Sequence, residues 1–221
     1  MNTEKQKVLI IGANGSTGRI ICNLLQNSLK YHPIAMIRKK SQAEHFEDNG
    51  IETVFGDLEK DFEPAYKGIK RVIFIAGSGG STGPEKTKDV DQKGAIISVD
   101  LAKKHQVEKF VLLSSMGAGN PEDFKDSEMY GYLLAKHNAD DHLIKSDLNY
   151  SIVRPGGLTN DTGTGKIEAA EKLGKRGKIS REDVAETLVE VLDSQLASII
   201  TFEILEGQDK IKDAVEKLRI T

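Results

Sequence analysis

The chain has 221 residues, of which 38% are hydrophobic and 29% charged, a balance typical of one soluble α/β domain with a well-formed core. Its net charge of −3 gives no electrostatic reason to expect nucleic acid or an anionic membrane as a partner, and no apolar run approaches the roughly 20 residues of a membrane helix. The N-terminus lacks the long apolar stretch of a secretory signal, and the single cysteine, Cys22, cannot form an internal disulfide. These features predict a cytoplasmic protein whose partners are small molecules; they do not define its oligomeric state.

Short β-rich runs alternate with longer amphipathic segments along the whole chain, as in parallel, doubly wound sheets. This alternation predicts a single-domain Rossmann fold over residues 1–221, with about seven strands and helices on both faces of the sheet. The predicted strands are Val8–Ile11, Ile34–Ile37, Ile51–Phe55, Val72–Ile75, Phe110–Leu113, Tyr150–Val153 and Phe202–Leu205. The predicted helices are Thr17–Gln26, Glu85–Lys104, Glu128–Ser146 and Arg181–Leu192.

The first strand leads directly into a glycine-rich turn that opens the first helix. Gly12 permits a tight turn, Gly15 lets backbone N–H groups approach a pyrophosphate, and Gly18 allows the helix to pack closely on the strand. The helix N-terminus adds partial positive charge. This GxxGxxG spacing between a strand and a helix predicts a dinucleotide site, with a ligand-free glycine turn as the alternative. The other residues expected to line this site are Asn14, Ser16, Thr17 and Arg19.

The end of the second strand distinguishes the two nicotinamide dinucleotides. Where NAD sites carry an acidic residue for the ribose 2′-hydroxyl, this chain has Arg38, followed by Lys39 and Lys40. These residues predict NADP rather than NAD, with a solvated basic strand end as the alternative. After the third strand, Asp57 is placed to bind the adenine amino group, with Leu58 against the ring.

Two glycine-rich segments follow the C-terminal ends of strands, the edge at which open α/β sheets bind ligands. We expect residues 77–83 and residues 155–178 to wall the site, the second segment on the substrate side. The charge run at residues 168–178 is most simply an exposed loop or hairpin. A basic lid over an acidic or phosphorylated substrate is the alternative.

A tyrosine and a lysine lie near the start of the helix predicted from Glu128. Tyr132 and Lys136 are four residues apart and share one helix face, whereas Tyr130 lies six residues from the lysine. A phenol ordinarily ionises at about pH 10, but an adjacent ammonium favours the phenolate, so such a pair can act as a general acid and base. The lysine can also hold the nicotinamide ribose. An exposed pair without a chemical role is the alternative.

Five segments together resemble the short-chain dehydrogenase/reductase superfamily, specifically the atypical branch that carries the glycine motif of the extended, epimerase-like members. They are GANGSTGR at residues 12–19, VDQKGA at 90–95, FVLLSSMGA at 110–118, YLLAK at 132–136 and VRPGGLT at 153–159. The resemblance implies that Ser115, or else Ser114, hydrogen-bonds the reacting oxygen. The residues that it places along the cofactor are Pro155, Gly156 and Gly157 at the nicotinamide end and Ile75, Ala76 and Gly77 at the adenosine end.

The chain departs from the superfamily pattern at Asp91, where asparagine is usual. A carboxylate there would stabilise protonated Lys136 yet disfavour a tyrosinate, because like charges raise the pKa of an acid. A helix-cap or surface role for Asp91 is the alternative. The large C-terminal substrate domain of extended members has no counterpart in this sequence, so we expect residues 155–178 to hold the substrate.

These patterns predict an NADP-dependent oxidoreductase or epimerase that transfers a hydride, with Tyr132 as acid and base, Lys136 as its electrostatic partner and Ser115 orienting the substrate. The alternatives are a non-catalytic NADP(H) sensor and a flavin or quinone reductase that needs no tyrosine. The five histidines show no metal-ligand spacing, so we expect no metal. Neither a phosphate-binding loop of nucleotide triphosphatases nor the GxSxG of hydrolases is present in the sequence.

Overall fold

The computed structural model describes residues 5–77, 87–193 and 197–218, apart from the side chain of Lys88. The strands in these ranges are β1 Gln6–Ile11, β2 Tyr31–Ile37, β3 Glu52–Phe55, β4 Arg71–Phe74, β5 Lys109–Leu113, β6 Tyr150–Pro155, β7 Gly157–Thr159, β8 Lys166–Ala170, β9 Lys178–Ser180, β10 Ile200–Glu206 and β11 Asp209–Lys210. The α-helices are α1 Ser16–Gln26, α2 Ala43–Glu47, α3 Ala95–Lys104, α4 Tyr130–Ile144, α5 Arg181–Asp193 and α6 Ile211–Lys217. None of the helices in these ranges is long and apolar enough to cross a membrane.

Nine strands form one twisted sheet in the order β11-β8-β10-β6-β5-β4-β1-β2-β3, and β7 pairs with β9 in a small second sheet. The seven strands from β10 to β3 run parallel. The order reverses beside β1, which has β2 on one side and β4 on the other. Such a reversal opens a crevice at the C-terminal ends of the strands, where doubly wound folds bind their ligands.

The sheet separates two hydrophobic cores, as the alternation along β1 illustrates. Val8 and Ile10 belong to one core, whereas Leu9 and Ile11 belong to the other, and all four side chains are fully buried. The first core also receives the apolar faces of α1, α5 and α6, and the second receives those of α3 and α4. A strand buried on both faces in this way is typical of the centre of a parallel sheet covered by helices.

All seven predicted strands and the predicted α/β Rossmann architecture are confirmed. The segment at residues 155–178, which we expected to be a loop, instead contains β7 and β8 and ends at the start of β9. β8 pairs antiparallel with β10 and buries Ile167 completely, so it covers the edge of the parallel sheet. The charge run that begins at Glu168 therefore belongs in part to a strand.

The helix predicted to begin at Glu85 is α-helical only from Ala95. Residues Thr87–Gly94 form a π-helical segment before α3. Residues 85 and 86 lie outside the described residues, as does the glycine-rich segment 77–83 apart from Gly77. Short π-helical segments are frequent at functional sites, and this one carries Asp91.

Candidate active site

The glycine turn lies between β1 and α1, at the crevice where the strand order reverses. Gly12 has a φ of +97°, and a methyl group on it would lie 2.6 Å from the backbone nitrogen of Ala76. A methyl group on Gly18 would lie 2.4 Å from the carbonyl oxygen of Gly12. Both glycines are therefore required sterically, because these distances are far below van der Waals contact with rigid backbone.

This turn fits the pyrophosphate of a dinucleotide. Helix α1 starts after Gly15 with neither a side-chain cap nor an acidic residue in its first turn, so its N-terminal N–H groups have no anionic side chain in front of them. Gly15 and Ser16 are exposed, whereas Thr17 is buried. The Arg19 guanidinium donates a hydrogen bond to Asn14 Oδ1 at 2.8 Å, which places a cation beside the turn. Unpaired helix N–H groups, exposed backbone and a nearby cation form a good anion site.

The residues predicted to bind the adenosine end follow β2 and β3. Gln42 Oε1 accepts the backbone N–H groups of Arg38 and Lys39, at 3.0 and 3.1 Å, and the Arg38 side chain is exposed. Asp57 Oδ1 accepts the backbone N–H of Glu59 at 3.1 Å. Leu58 packs against Gly94, at whose position a methyl group would lie 3.1 Å from the Leu58 Cβ. Through its hydrogen bond with Glu59, Asp57 stabilises the turn after β3.

A buried ion pair links the cofactor crevice to helix α4. Lys136 Nζ lies 3.1 Å from Asp91 Oδ1, and both side chains are excluded from solvent. The ammonium also donates to the Leu113 carbonyl at 3.3 Å. Asp91 in turn lies against the loop after β4, because a methyl group on Gly77 would lie 3.1 Å from its Oδ1. The helix-cap or surface alternative for Asp91 therefore does not describe this fully buried side chain.

Tyr132 lies on the same face of α4 as Lys136, with the lysine Nζ 5.8 Å from the centre of its ring. Burial is the largest single influence on Lys136 and lowers its pKa. Tyr132, Asp91 and Asp140 together outweigh burial, so the pKa ends above its usual value. Tyr130 points elsewhere, and its hydroxyl donates to Glu122 Oε1 at 2.9 Å.

The two serines after β5 have different environments. Ser114 is buried and donates from Oγ to Asp140 Oδ2 at 2.8 Å. Ser115 is only half-buried, and its Oγ donates to the Met116 carbonyl at 3.2 Å. Ser115 is therefore the serine whose hydroxyl can reach solvent or a ligand.

Sequence analysis missed two further buried residues, Asp140 and Arg154. Asp140 Oδ2 accepts Arg154 Nε at 2.9 Å and Nη2 at 2.8 Å, in addition to the Ser114 hydroxyl. Burial raises the pKa of Asp140, although Arg154, Ser114 and Lys136 act in the opposite direction. The available signals were an acid one helical turn after Lys136 and an arginine inside the apolar run of β6.

The segment after β6 turns sharply beside these residues. The Pro155 carbonyl accepts the Met116 N–H at 3.0 Å, and the Gly157 N–H donates to the Gly177 carbonyl at 2.9 Å. One residue before Gly177, the Arg176 guanidinium lies 5.2 Å from the centre of the Phe124 ring. Pro155 thus lies beside the turn that carries Ser114 and Ser115, whereas Gly157 lies beside Gly177.

The structure therefore joins the cofactor half to the tyrosine through a line of contacts. Gly12 packs on Ala76, Gly77 packs on Asp91, Asp91 pairs with Lys136, and Lys136 lies beside Tyr132. Arg38 and Asp57 lie at the other end of the crevice, after β2 and β3. No cluster of three or more His, Cys, Asp or Glu side chains suited to a metal ion occurs among the residues that the structure describes.

These features define an NAD(P)-binding Rossmann protein. A family model described as NAD(P)H-binding matches residues 12–195, and the chain belongs to that family, within the atypical short-chain dehydrogenase/reductase-like proteins. The match begins at the first glycine of the turn and extends past α5.

Three of the similar proteins match this chain over nearly their full lengths. An uncharacterized sugar epimerase of Bacillus subtilis, YhfK, is 40% identical over 215 residues, which cover 96% of this chain and all of the relative. A sanguinarine reductase of Eschscholzia californica is 26% identical over 261 residues, with coverage of 99% and 95%. A Bacillus halodurans structure, provisionally assigned as an NAD-dependent epimerase/dehydratase, superposes with a TM-score of 0.92 at 38% identity, covering 96% of this chain and 100% of that one. Proteins similar to this chain are thus named both as epimerases and as reductases.

Proposed function

We propose that this protein is an NADPH-dependent reductase of a small carbonyl compound, in which Tyr132 donates the proton as a neutral phenol. The observation that carries the proposal is the buried Asp91–Lys136 ion pair beside Tyr132. An uncompensated ammonium would favour a tyrosinate, the form that an oxidation or an epimerisation needs first. A carboxylate at 3.1 Å from the ammonium offsets that field, so the pair supplies no net positive charge to stabilise a phenolate, and this favours the reductive direction.

The chain's own residues then divide the work. The glycine turn and the N-terminus of α1 bind the pyrophosphate, and Arg38 binds the 2′-phosphate. NADPH, when bound, supplies the hydride. Tyr132 gives its hydroxyl proton to the carbonyl oxygen as the C=O bond becomes C–O–H, and the phenolate regains a proton from solvent. Ser115 donates a hydrogen bond to the same oxygen and orients it.

The NADP preference is part of the proposal and rests on the exposed Arg38 side chain at the end of β2. Gln42 holds the backbone at Arg38 and Lys39, so the turn that presents the guanidinium is fixed. Arginine provides planar, charged donors suited to phosphate, whereas the uncharged 2′-hydroxyl of NAD gains much less from them.

A second candidate function is reduction of a flavin or quinone, which needs no proton from the tyrosine. The commitment of the Lys136 ammonium to Asp91 and to the Leu113 carbonyl favours it, since that ammonium is then less available to assist Tyr132. An NADP(H) sensor without turnover is the third reading.

Replacement of Tyr132 by phenylalanine separates these functions. Purified protein is first titrated with NADPH and NADH by thermal shift, and NADPH oxidation is then followed with aldehydes, ketones, quinones and flavins. Because general acid catalysis typically contributes about 10²–10⁴-fold, we expect Tyr132→Phe to lower carbonyl turnover by that factor with little change in NADPH affinity. Unchanged turnover in Tyr132→Phe would instead support the second function, and no turnover by either protein despite NADPH binding would support the sensor.

A further inference from the structure

Beneath the two serines, a second buried ion pair lies one helical turn from Lys136. Asp140 is 1% exposed, and its Oδ2 accepts hydrogen bonds from Ser114 Oγ and from both Nε and Nη2 of Arg154. The Arg154 side chain is only 13% exposed. Buried charges are costly to remove from water even when they are paired and hydrogen-bonded. Apolar side chains of similar volume would often stabilise the fold equally well at such a position. The cost suggests a role beyond stability.

The position of this pair suggests what the role is. Ser114 and Ser115 directly follow β5, and the Ser114 N–H still donates to the Val153 carbonyl of β6, so the backbone there continues the extended strand. Side chains of successive residues in extended backbone point to opposite faces. Asp140 binds Ser114 from one side, which fixes the backbone from which Ser115 points the other way. Backbone hydrogen bonds from Ser114 to Val153 and from Met116 to Pro155 tie the same turn to the strand that carries Arg154.

The charges of the four buried groups also balance. Lys136 and Arg154 are cations, and Asp91 and Asp140 are anions, so the set is neutral when all four are ionised. Asp140 also acts on Lys136 electrostatically and favours its charged form. Loss of the Asp140 charge alone would leave one uncompensated positive charge beneath the site, and a positive field favours a tyrosinate.

We propose that Asp140 and Arg154 are positioning residues of the active site: through Ser114 they align Ser115, and their balanced charges keep Tyr132 in its neutral, proton-donating form. The inference rests on the proposed reductase function, which it deepens. Neither residue needs to touch the substrate. The Asp140 Oδ1 atom has no hydrogen-bond partner in the described part of the chain, so the pair is held through Oδ2 alone.

The test compares pH profiles of carbonyl reduction for the wild-type protein, four test variants and one control variant. In Asp140→Asn, kcat falls at least tenfold while the KM for NADPH stays within twofold, and the loss of activity at high pH moves to lower pH by about half a unit to one unit. The matched control is Asp141→Asn, because Asp141 is the next residue on α4 but forms a half-exposed ion pair with Lys145. We expect its profile and kcat to match the wild type.

Two variants keep the test informative if Asp140→Asn does not fold. Ser114→Ala removes only the link to the serine turn, so kcat falls and the high-pH limb stays in place. The double variant Asp140→Leu/Arg154→Met removes both charges together. We expect its activity to be lost at the same high pH as in the wild type, because charge balance is kept. Its kcat should be as low as that of Ser114→Ala, because the alignment of Ser115 is lost.

The fourth variant, Tyr132→Phe, distinguishes the two levels of inference. If it turns over carbonyl substrates like the wild type, the reductase proposal and this inference are both wrong. If Tyr132→Phe is impaired but Asp140→Asn, Ser114→Ala and the double variant all retain wild-type kcat and pH profile, only the positioning role is wrong. A loss of activity in Asp140→Asn that follows thermal stability alone, without a shift in the pH profile, would also overturn it.

Discussion

The two halves of the candidate site are built in different ways: one depends on the close packing of backbone, and the other on buried ion pairs. The cofactor half is made of backbone, whose shape leaves no room for a methyl group on Gly12 or Gly18. The catalytic half is made of buried charges, with Asp91 paired to Lys136 and Asp140 paired to Arg154. Backbone this close tolerates almost no added volume, whereas a buried charge network is sensitive above all to the loss of one partner. The two halves should therefore fail in different ways.

The largest effect on stability is expected in the catalytic half. Removal of one partner of a buried ion pair typically costs about 3–5 kcal/mol, because the other charge is left without compensation. We therefore expect Lys136→Met to lower the free energy of unfolding by that amount in urea denaturation at pH 7. In the double variant Asp91→Asn/Lys136→Met, the loss should be clearly smaller than the sum of the two single losses.

The same pair predicts a pH dependence. Because the pKa of Lys136 is raised in the folded protein, its contribution is complete below about pH 10.4, the ordinary lysine value, and is lost as pH rises through the higher folded value. Lys136→Met should lack this part of the alkaline loss. A Lys136→Met protein as stable as the wild type at pH 7 would contradict the ion-pair account.

In the cofactor half, a single methyl group should be enough to abolish binding. Gly18→Ala places a methyl group 2.4 Å from the Gly12 carbonyl, so we expect a loss of about 1–3 kcal/mol in stability and displacement of the turn. NADPH should then give no thermal shift. The matched control is Gly131→Ala in α4, where a methyl group meets no atom within 4 Å. It should be neutral or slightly stabilising, and normal NADPH binding by Gly18→Ala would sink the steric argument.

A smaller effect is expected at the adenosine end. Charge-assisted hydrogen bonds contribute about 1.5–3 kcal/mol, so Arg38→Ala should weaken NADPH binding by about 10- to 100-fold and leave NADH binding unchanged. Fluorescence titration with both cofactors measures the ratio, and Lys212→Ala serves as the comparison because Lys212 is an exposed cation on α6, outside the residues predicted to bind the cofactor. Equal losses of affinity for NADPH and NADH would show that Arg38 does not bind the 2′-phosphate.

The smallest effect concerns the turn that presents Arg38. Gln42→Ala removes the acceptor of two backbone N–H groups, which should cost about 1 kcal/mol in stability. We expect NADPH affinity to fall by less than in Arg38→Ala, since the guanidinium remains. Gln42→Glu keeps the acceptor oxygen and should restore stability. A drop in affinity as large as that of Arg38→Ala would mean that the turn, rather than the charge, determines binding.

The sequence by itself determined the seven parallel strands, their alternation with helices and the glycine turn. Short β-rich apolar runs, helical spacing and glycines at fixed offsets are local patterns, and each acts through backbone geometry that neighbouring residues impose. The π-helical start at Thr87 and the strand β8 were not predicted, because their states depend on partners far away in the chain. β8 forms a strand because β10 offers it a sheet edge.

Only the tertiary structure decided how the proposed catalytic residues are paired. The i,i+4 spacing of Tyr132 and Lys136 is readable in the sequence, and Asp91 stood out as a departure from a pattern. That Asp91 reaches Lys136 at 3.1 Å, and that Arg154 and Ser114 converge on Asp140, depends on separate elements that meet in the core. Electrostatic balance is a property of distance and burial, and neither is encoded locally.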